Sequence, residues 1–110
     1  MFNIDNEIYT CQVEALSSIL GKKWVAQIIW TIKDSKIRFG ELQRELEGCS
    51  KKMLKQQLEL LIENNIIIND KKTINNSVES TYFLSDSGLL LLPIMEKMIK
   101  WSNSNLACGG

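Results

Sequence analysis

The most constraining feature of this sequence is a change of hydrophobic period after Asn65. Upstream, apolar residues recur every three or four positions, the period of an α-helix, in segments at about 11–20, 22–34, 39–48 and 50–63. Downstream, the β-rich runs "IIIND" and "STYFLS" flank the polar stretch "KKTINNSVE", which predicts a two-stranded hairpin. The chain is therefore expected to be mainly α with a small β-hairpin.

Two more segments complete the predicted fold. "SKIRF" is short and β-prone, and "SDSGLLLLPIMEKMIKWSNSN" begins with capping residues and continues as an apolar helix that Pro93 kinks or divides. The predicted order is helix-helix-strand-helix-helix-hairpin-helix, the arrangement of a winged helix-turn-helix. We expect one domain over residues 1–110, with the helix-turn-helix at about 39–64 and the wing at about 66–84.

Composition argues against several classes of protein. No window approaches the roughly 18 apolar residues of a membrane span, and the start "MFNIDNEIYT" is acidic where a signal peptide is basic, so a cytoplasmic protein without a membrane partner is expected. Three cysteines without a CxxC pair, and no histidine, suggest neither a disulfide framework nor a zinc site. Because no catalytic or cofactor-binding constellation can be assembled, the chain is not expected to be an enzyme or to hold a cofactor.

Charge is distributed unevenly although the formal net charge is zero. Between Leu20 and Gln57 lie nine bases and four acids, whereas the remainder holds four bases and nine acids. A chain polarised in this way can present one positive face to a polyanion while it stays neutral as a whole.

The segment "GCSKKMLKQQLELLIE" carries the clearest functional signal. Ser50 is an N-cap candidate, and a stripe of apolar residues, Leu54, Leu58, Leu61 and Ile62, is expected to be buried. The opposite face of its first two turns carries Lys51, Lys52, Lys55 and Gln56. Bases at a helix N-terminus oppose the helix dipole, at a cost of about 0.3–1 kcal/mol each, so local stability does not explain them.

A helix-turn-helix whose second helix enters the DNA major groove does explain this pattern, because Lys meets phosphates or guanine and Gln pairs with adenine. Lys71 and Lys72, expected at the outer end of the first hairpin strand, would contact the neighbouring DNA backbone as a wing, and Arg38 and Ser50 are placed with them in the DNA-binding set. Two alternatives remain open: a merely solvated lysine face, and a winged-helix module that binds protein rather than DNA.

Four segments resemble the HxlR-type family of bacterial winged-helix transcription regulators, relatives of the MarR group: "CQVEALSSILGKKWVAQIIWTI", "RFGELQREL", "GCSKKMLKQQLELLIENNII" and "YFLSDSGLLLLPIMEKMIKW". The resemblance runs in register from Cys11 to Trp101. It departs from the family at Lys52, commonly Arg, at Lys55, often Thr, and at the wing, which lacks the usual prolines. The two lysines suggest a different operator sequence, and the wing departure concerns the conformation of the wing and its minor-groove contacts.

The resemblance implies a homodimer on double-stranded operator DNA, paired through helices at about 11–20 and 86–103. The residues that would form the interface are Leu16, Ile19, Leu20, Leu91, Met95, Met98 and Trp101. A small-molecule or electrophile effector is also implied, although no residue set identifies its pocket. A plain core role for the last helix is the alternative.

Cys11 matches the position at which several relatives carry a cysteine that responds to quinones, aldehydes, hypochlorite or disulfide stress. This reactivity needs a thiolate, which a helix N-terminus favours and the neighbouring acids Glu7 and Glu14 disfavour. A buried, inert Cys11 is the alternative. Cys49 and Cys108 are conceivable resolving thiols, but their spacing gives no argument for that role.

Overall fold

A computed structural model describes residues 1–107 of the chain. The strands are β1 (Phe2–Ile4), β2 (Glu7–Tyr9), β3 (Ile37–Arg38), β4 (Ile67–Ile74) and β5 (Ser77–Leu84). The helices are α1 (Gln12–Leu20), α2 (Val25–Ile32), α3 (Phe39–Glu45), α4 (Lys51–Glu63), α5 (Asp86–Leu89) and α6 (Leu91–Asn105). Cys108 lies outside the described residues.

The core is centred on α2. Its residues Val25, Ile28, Ile29 and Ile32 are fully buried, as the density of apolar side chains in this segment predicts. They belong to one continuous cluster with apolar residues of α1, α3, α4 and α6. Each such side chain contributes about 1.5–3 kcal/mol relative to an exposed position, so burial against α2 holds the surface helices in place.

The fourth helix is confirmed, with one correction to its apolar stripe. The Ser50 side chain caps α4, since its Oγ accepts a hydrogen bond from the Met53 N–H at 3.0 Å. Leu54, Leu58 and Leu61 are buried, but Ile62, which was predicted to be buried with them, is exposed. Ile62 lies at the edge of the stripe, where it lines a groove between α4 and the hairpin.

The hairpin is longer than predicted. β4 and β5 pair antiparallel from Ile67↔Leu84 to Ile74↔Ser77, with β3 on the other edge of β5. Asn75 and Asn76 form the connection, and both have positive φ, as a two-residue hairpin turn of type I′ requires. Lys71 and Lys72 therefore lie within β4 rather than at its outer end, because cross-strand pairing carries the polar stretch into the sheet.

The two ends of the chain differ from the prediction. β1 and β2 form an additional hairpin around Asp5 and Asn6, both with positive φ. The last helical segment divides at Leu90, three residues before Pro93, so that Pro93 lies in the first turn of α6. Proline is tolerated there because the first N–H groups of a helix have no intrahelical partner.

Candidate DNA-binding surface

The leading turns of α4 present a basic surface. Lys51, Lys52, Lys55 and Gln56 are all exposed, whereas Leu54, on the same turns of the helix, is buried. None of the three lysines lies within 4.0 Å of a carboxylate in residues 1–107. Their ammonium groups are therefore available to a polyanion.

A buried hydrogen bond and a close packing contact fix the position of α4. Gln57 is buried, and its Nε2 donates to the Lys23 carbonyl at 2.9 Å, which links α4 to the connection between α1 and α2. Gly48, in the loop between α3 and α4, has φ +89° and lies next to the ring of Trp24, since a Cβ added to it would be 3.8 Å from a ring carbon. The sequence interpretation did not assign Gln57 a role, although its spacing of three from Leu54 gives a signal that it lies beside the buried stripe.

The wing residues have different surroundings. Arg38 Nη2 lies 3.1 Å from a carboxylate oxygen of Glu79 on β5, so this arginine is tied to the sheet. Lys72 Nζ lies 3.9 Å from the Asp70 carboxylate. Lys71 instead lines the groove between α4 and the hairpin.

That groove has a volume of about 720 Å³ and brings Lys71 together with Lys55. Its lining also includes Asn69, whose Oδ1 is buried without a hydrogen-bond partner among the described residues. Burial raises the pKa of the Tyr82 hydroxyl above its ordinary value, the hydrogen bond with Ser80 opposes this, and Glu59 adds to it. The groove therefore combines Lys55 and Lys71 with the acid Glu59 and with one amide oxygen, that of Asn69, which has no hydrogen-bond partner among the described residues.

Cys11 and Cys49 lie in different environments. Cys11 is half-buried at the N-cap of α1, and its side chain makes no capping hydrogen bond. Cys49 is buried, and desolvation raises the pKa of its thiol, an effect that the nearby Lys23 ammonium partly offsets. Residues 1–107 contain no group of three or more His, Cys, Asp or Glu side chains able to hold a metal ion.

The predicted interface residues divide into two groups. Ile19, Leu91 and Met95 are buried within the single chain, since they pack into the same core as α2, so they offer little area to a second chain. Leu16 and Leu20 are half-buried. Met98 and Trp101 are 49% and 60% exposed.

Three apolar residues of α1 and α6 outside the seven predicted interface residues are also exposed: Val13, Ile94 and Ile99. Val13, Leu16, Leu20 and Met98 line an apolar cleft of about 560 Å³ between α1 and α6. Large exposed apolar patches of this kind mark interaction sites.

A helical core, a capped basic helix after a short turn, and a β-hairpin beside it define a winged helix-turn-helix protein. The sequence model of the family described as HxlR-like helix-turn-helix matches residues 19–108. MalR of Fusobacterium mortiferum, which is named as a regulatory protein, is 37% identical over 99 residues, covering 88% of this chain and 92% of MalR. The chain therefore belongs to the HxlR-like helix-turn-helix family.

Solved structures agree with this assignment. The reduced form of the transcriptional regulator YodB from B. subtilis matches with a TM-score of 0.82 at 28% identity, covering 93% of this chain and 100% of YodB. The oxidised form of the redox regulator HypR matches with a TM-score of 0.77 at 28% identity, covering 89% of this chain and 100% of HypR.

The family and the fold make this chain a DNA-binding transcriptional regulator, which decides against a winged-helix module that binds only protein. Its relatives are regulators rather than enzymes. Among the described residues, no helix combines the length and the apolar character needed to cross a membrane.

Proposed function

We propose that α4 is the recognition helix and that Lys51, Lys52, Lys55 and Gln56 contact operator DNA in the major groove. The observation that carries this assignment is a surface of exposed lysines without acidic partners on the leading turns of a helix whose other face is buried. Ser50 caps the helix and is exposed. When α4 enters the major groove, the Ser50 side chain lies beside the DNA backbone. Lys and Gln at this place match the hydrogen-bonding edges of guanine and adenine.

At the wing, Lys71 contacts the DNA backbone directly, since it shares a groove with Lys55. Arg38 and Lys72 must exchange their contacts with Glu79 and Asp70 for phosphate contacts when DNA binds. Exposed ion pairs are worth at most about 1 kcal/mol, so this exchange is inexpensive.

The direct test replaces Lys52, Lys55 and Gln56 with Ala. An operator is first selected with the wild-type chain from a random duplex pool, and affinities are then measured by fluorescence anisotropy. Loss of two phosphate or base contacts and one amide contact should weaken binding at least about a hundredfold, at roughly 1–3 kcal/mol per base contact. Lys100→Ala, an exposed lysine on the side of α6 that carries Glu96, is the control and should bind as the wild type does. Equal affinity of the triple variant and the wild type would refute the assignment.

The chain acts as a homodimer in this proposal, paired through α1 and α6. Support comes from the exposure of Met98 and Trp101 and from the apolar cleft beside them. A dimer also places two copies of α4 on successive turns of one DNA face, about 34 Å apart. The mass of the chain in solution, measured by sedimentation, is the primary check.

Cys11 is the proposed sensor of oxidants or electrophiles. Its half-buried thiol can be reached from solvent and lies at the start of α1. Cys49 is buried instead, and the raised pKa of its thiol lowers the fraction of reactive thiolate. Two similar proteins have been solved as diamide-treated YodB and oxidised HypR. The location in α1 would pass a change at Cys11 directly to the proposed interface.

Diamide provides the test of Cys11. Diamide takes one hydrogen from each of two thiols and joins their sulfurs, so the disulfide at Cys11 needs a second thiol, which Cys49, Cys108 or added glutathione supplies. Treatment of the wild type should lower its operator affinity at least about tenfold, and thiol reductant should restore it, because the disulfide is reversible. Cys11→Ser should keep its affinity under the same treatment. An equal loss in the variant and the wild type would locate the sensitive thiol elsewhere.

A further inference from the structure

A second apolar cleft, separate from the one between α1 and α6, lies where α2, the end of α3 and α6 meet. Its volume of about 540 Å³ falls within the range of small-molecule sites. Trp24 and Trp30 line it, and Leu46, Met95 and Ile99 contribute aliphatic and thioether surface. The cleft therefore offers aromatic and apolar surface to a flat ring system.

The ionisable groups that line this cleft all carry the same sign of charge. They are Glu45, the last residue of α3, and Glu47 in the loop that follows. Neither carboxylate has a base within 4.0 Å in residues 1–107. Two carboxylates without partners in the lining of an apolar, aromatic cleft attract a cation and repel an anion.

The indole rings favour the same charge. The Lys23 ammonium lies 5.8 Å from the Trp24 ring and the Lys33 ammonium lies 4.5 Å from the centroid of Trp30, so both rings already interact with cations of the chain. These two lysines are not among the residues that line the cleft, and its only ionisable lining groups in residues 1–107 are the two glutamates.

We propose that this cleft binds a planar organic cation, a compound that combines a flat aromatic system with a delocalised or quaternary positive charge. The ring system stacks between the indoles and the thioether of Met95, and the positive charge lies toward Glu45 and Glu47. Apolar burial supplies most of the affinity, while the carboxylates and cation–π contacts supply the preference for positive charge.

The position of the cleft relates it to the DNA-binding unit without making the proposal depend on that unit. Leu46 lies in the α3–α4 turn, and the Trp24 ring packs over Gly48 in the same turn. The occupant would therefore contact the residues that set the start of α4. Ligand binding can be measured without DNA, so failure of this proposal and failure of the DNA-binding assignment are separate results.

The test uses three flat bicyclic probes of similar shape that differ in charge: N-methylquinolinium as the cation, quinoline as its neutral counterpart at pH 7.5, and naphthalene-2-sulfonate as the anion. Binding to the full chain is measured by titration calorimetry. The cation should bind at least about tenfold more tightly than quinoline, the factor that corresponds to 1.4 kcal/mol, and the anion should bind most weakly.

Two variants locate the effect. Glu45→Gln with Glu47→Gln keeps the shape of the cleft and removes its charge, so the cation should lose about tenfold in affinity while quinoline binds unchanged. Glu14→Gln with Glu63→Gln removes the same charge elsewhere and should leave all three affinities within about twofold, since exposed charges at a distance are screened. Trp24 is left unchanged because its φ of 75° lies in the left-handed region, so a substitution there could alter the backbone as well as the cleft.

Three outcomes would overturn the proposal. They are absence of binding by all three probes at millimolar concentration, equal affinity for the cation and quinoline, and a cation affinity that survives the removal of Glu45 and Glu47. The second outcome would leave an apolar cleft without charge selectivity, and the third would place the cation at another part of the chain.

Discussion

At the scale of single residues, Gly88 joins the end of the helix-turn-helix to the start of α5. The Ser85 side chain caps α5, accepting a hydrogen bond from the Gly88 N–H at 3.0 Å, and donates to the Asn65 carbonyl at 2.6 Å. A Cβ on Gly88 would lie 2.2 Å from the Ile66 carbonyl oxygen. Because the atom in the way belongs to the backbone, a side chain there would push α5 away from the turn that follows α4.

Gly88→Ala should therefore lower the free energy of unfolding by about 1–3 kcal/mol, the usual cost of overpacking. Urea denaturation of the purified variant measures it. Gly40→Ala is the matched control, since the nearest atom to its added Cβ is the flexible end of Arg44 at 3.8 Å. That control should be neutral or stabilising by up to about 1 kcal/mol, because Ala is a better helix former than Gly. A Gly88 variant as stable as the wild type would show that α5 moves without cost.

At the scale of elements, α4 must be held firmly enough for its exposed face to keep a fixed geometry. Of two adjacent glutamines in α4, one faces solvent and the other holds the helix to the core. Gln56 is exposed on the proposed DNA-binding face, whereas Gln57 is buried and donates a hydrogen bond to the Lys23 carbonyl. The 100° step between successive helical residues is enough to separate a surface residue from an anchor.

Gln57→Met keeps the length of the side chain and removes this hydrogen bond. The variant should lose about 0.5–1.5 kcal/mol of unfolding free energy, the net value of a buried hydrogen bond. Gln56→Met should stay within about 0.5 kcal/mol of the wild type, as exposed substitutions usually do. Parallel urea titrations of the two variants compare them, and equal stabilities would mean that the Lys23 carbonyl finds another donor.

Elements that bury apolar side chains periodically could be predicted from sequence. This applies to α1, α2, α3 and the capped start of α4, because helical spacing records which face is buried. The β1–β2 hairpin was not predicted from the sequence. Its strands in "FNIDNEIY" are only three residues long, so their alternation is a weak signal, and the positive φ of Asp5 and Asn6 that makes the turn is seen only in the structure. The extension of β4 beyond Asp70 was missed because it depends on pairing with β5, which local composition does not reveal.

The site was partly predictable for a related physical reason. Exposure of Lys51, Lys52 and Lys55 follows from the leucine stripe of their own helix, so the sequence predicts it. The pairing of Arg38 with Glu79 joins residues that are far apart in the chain, and only the antiparallel register of β3 with β5 brings them together. The acidic cleft beside Trp24 and Trp30 likewise requires three helices to be in place.

At the scale of the whole molecule, a chain with no net charge has to bind a polyanion. Its bases are concentrated on one segment, and its acids lie mainly elsewhere, so attraction to DNA depends on orientation. Counterion release from phosphates should still make operator binding fall steeply as salt rises. A homodimer doubles the basic surface and fixes both copies toward one duplex, which a single neutral chain cannot achieve.

The proposed dimer leads to a prediction at this scale. Met98 and Trp101 are exposed on α6, beside the apolar cleft that Leu16 and Leu20 line with Met98. Replacing both exposed residues with Arg puts two positive charges on each side of a symmetric interface. Each charge would lose its hydration there and would be repelled by the arginines of the partner chain. The chain should then sediment as a folded monomer, with an unchanged circular dichroism spectrum.

Loss of pairing should also weaken operator binding at least about a hundredfold, because the second recognition helix no longer benefits from the effective concentration set by the first. Val78→Arg, a 67% exposed apolar residue on the wing, is the matched control for oligomeric state and should remain dimeric. If Met98→Arg with Trp101→Arg still sedimented as a dimer, the pairing surface would have to lie elsewhere, and the exposed apolar side chains of α6 would need another partner.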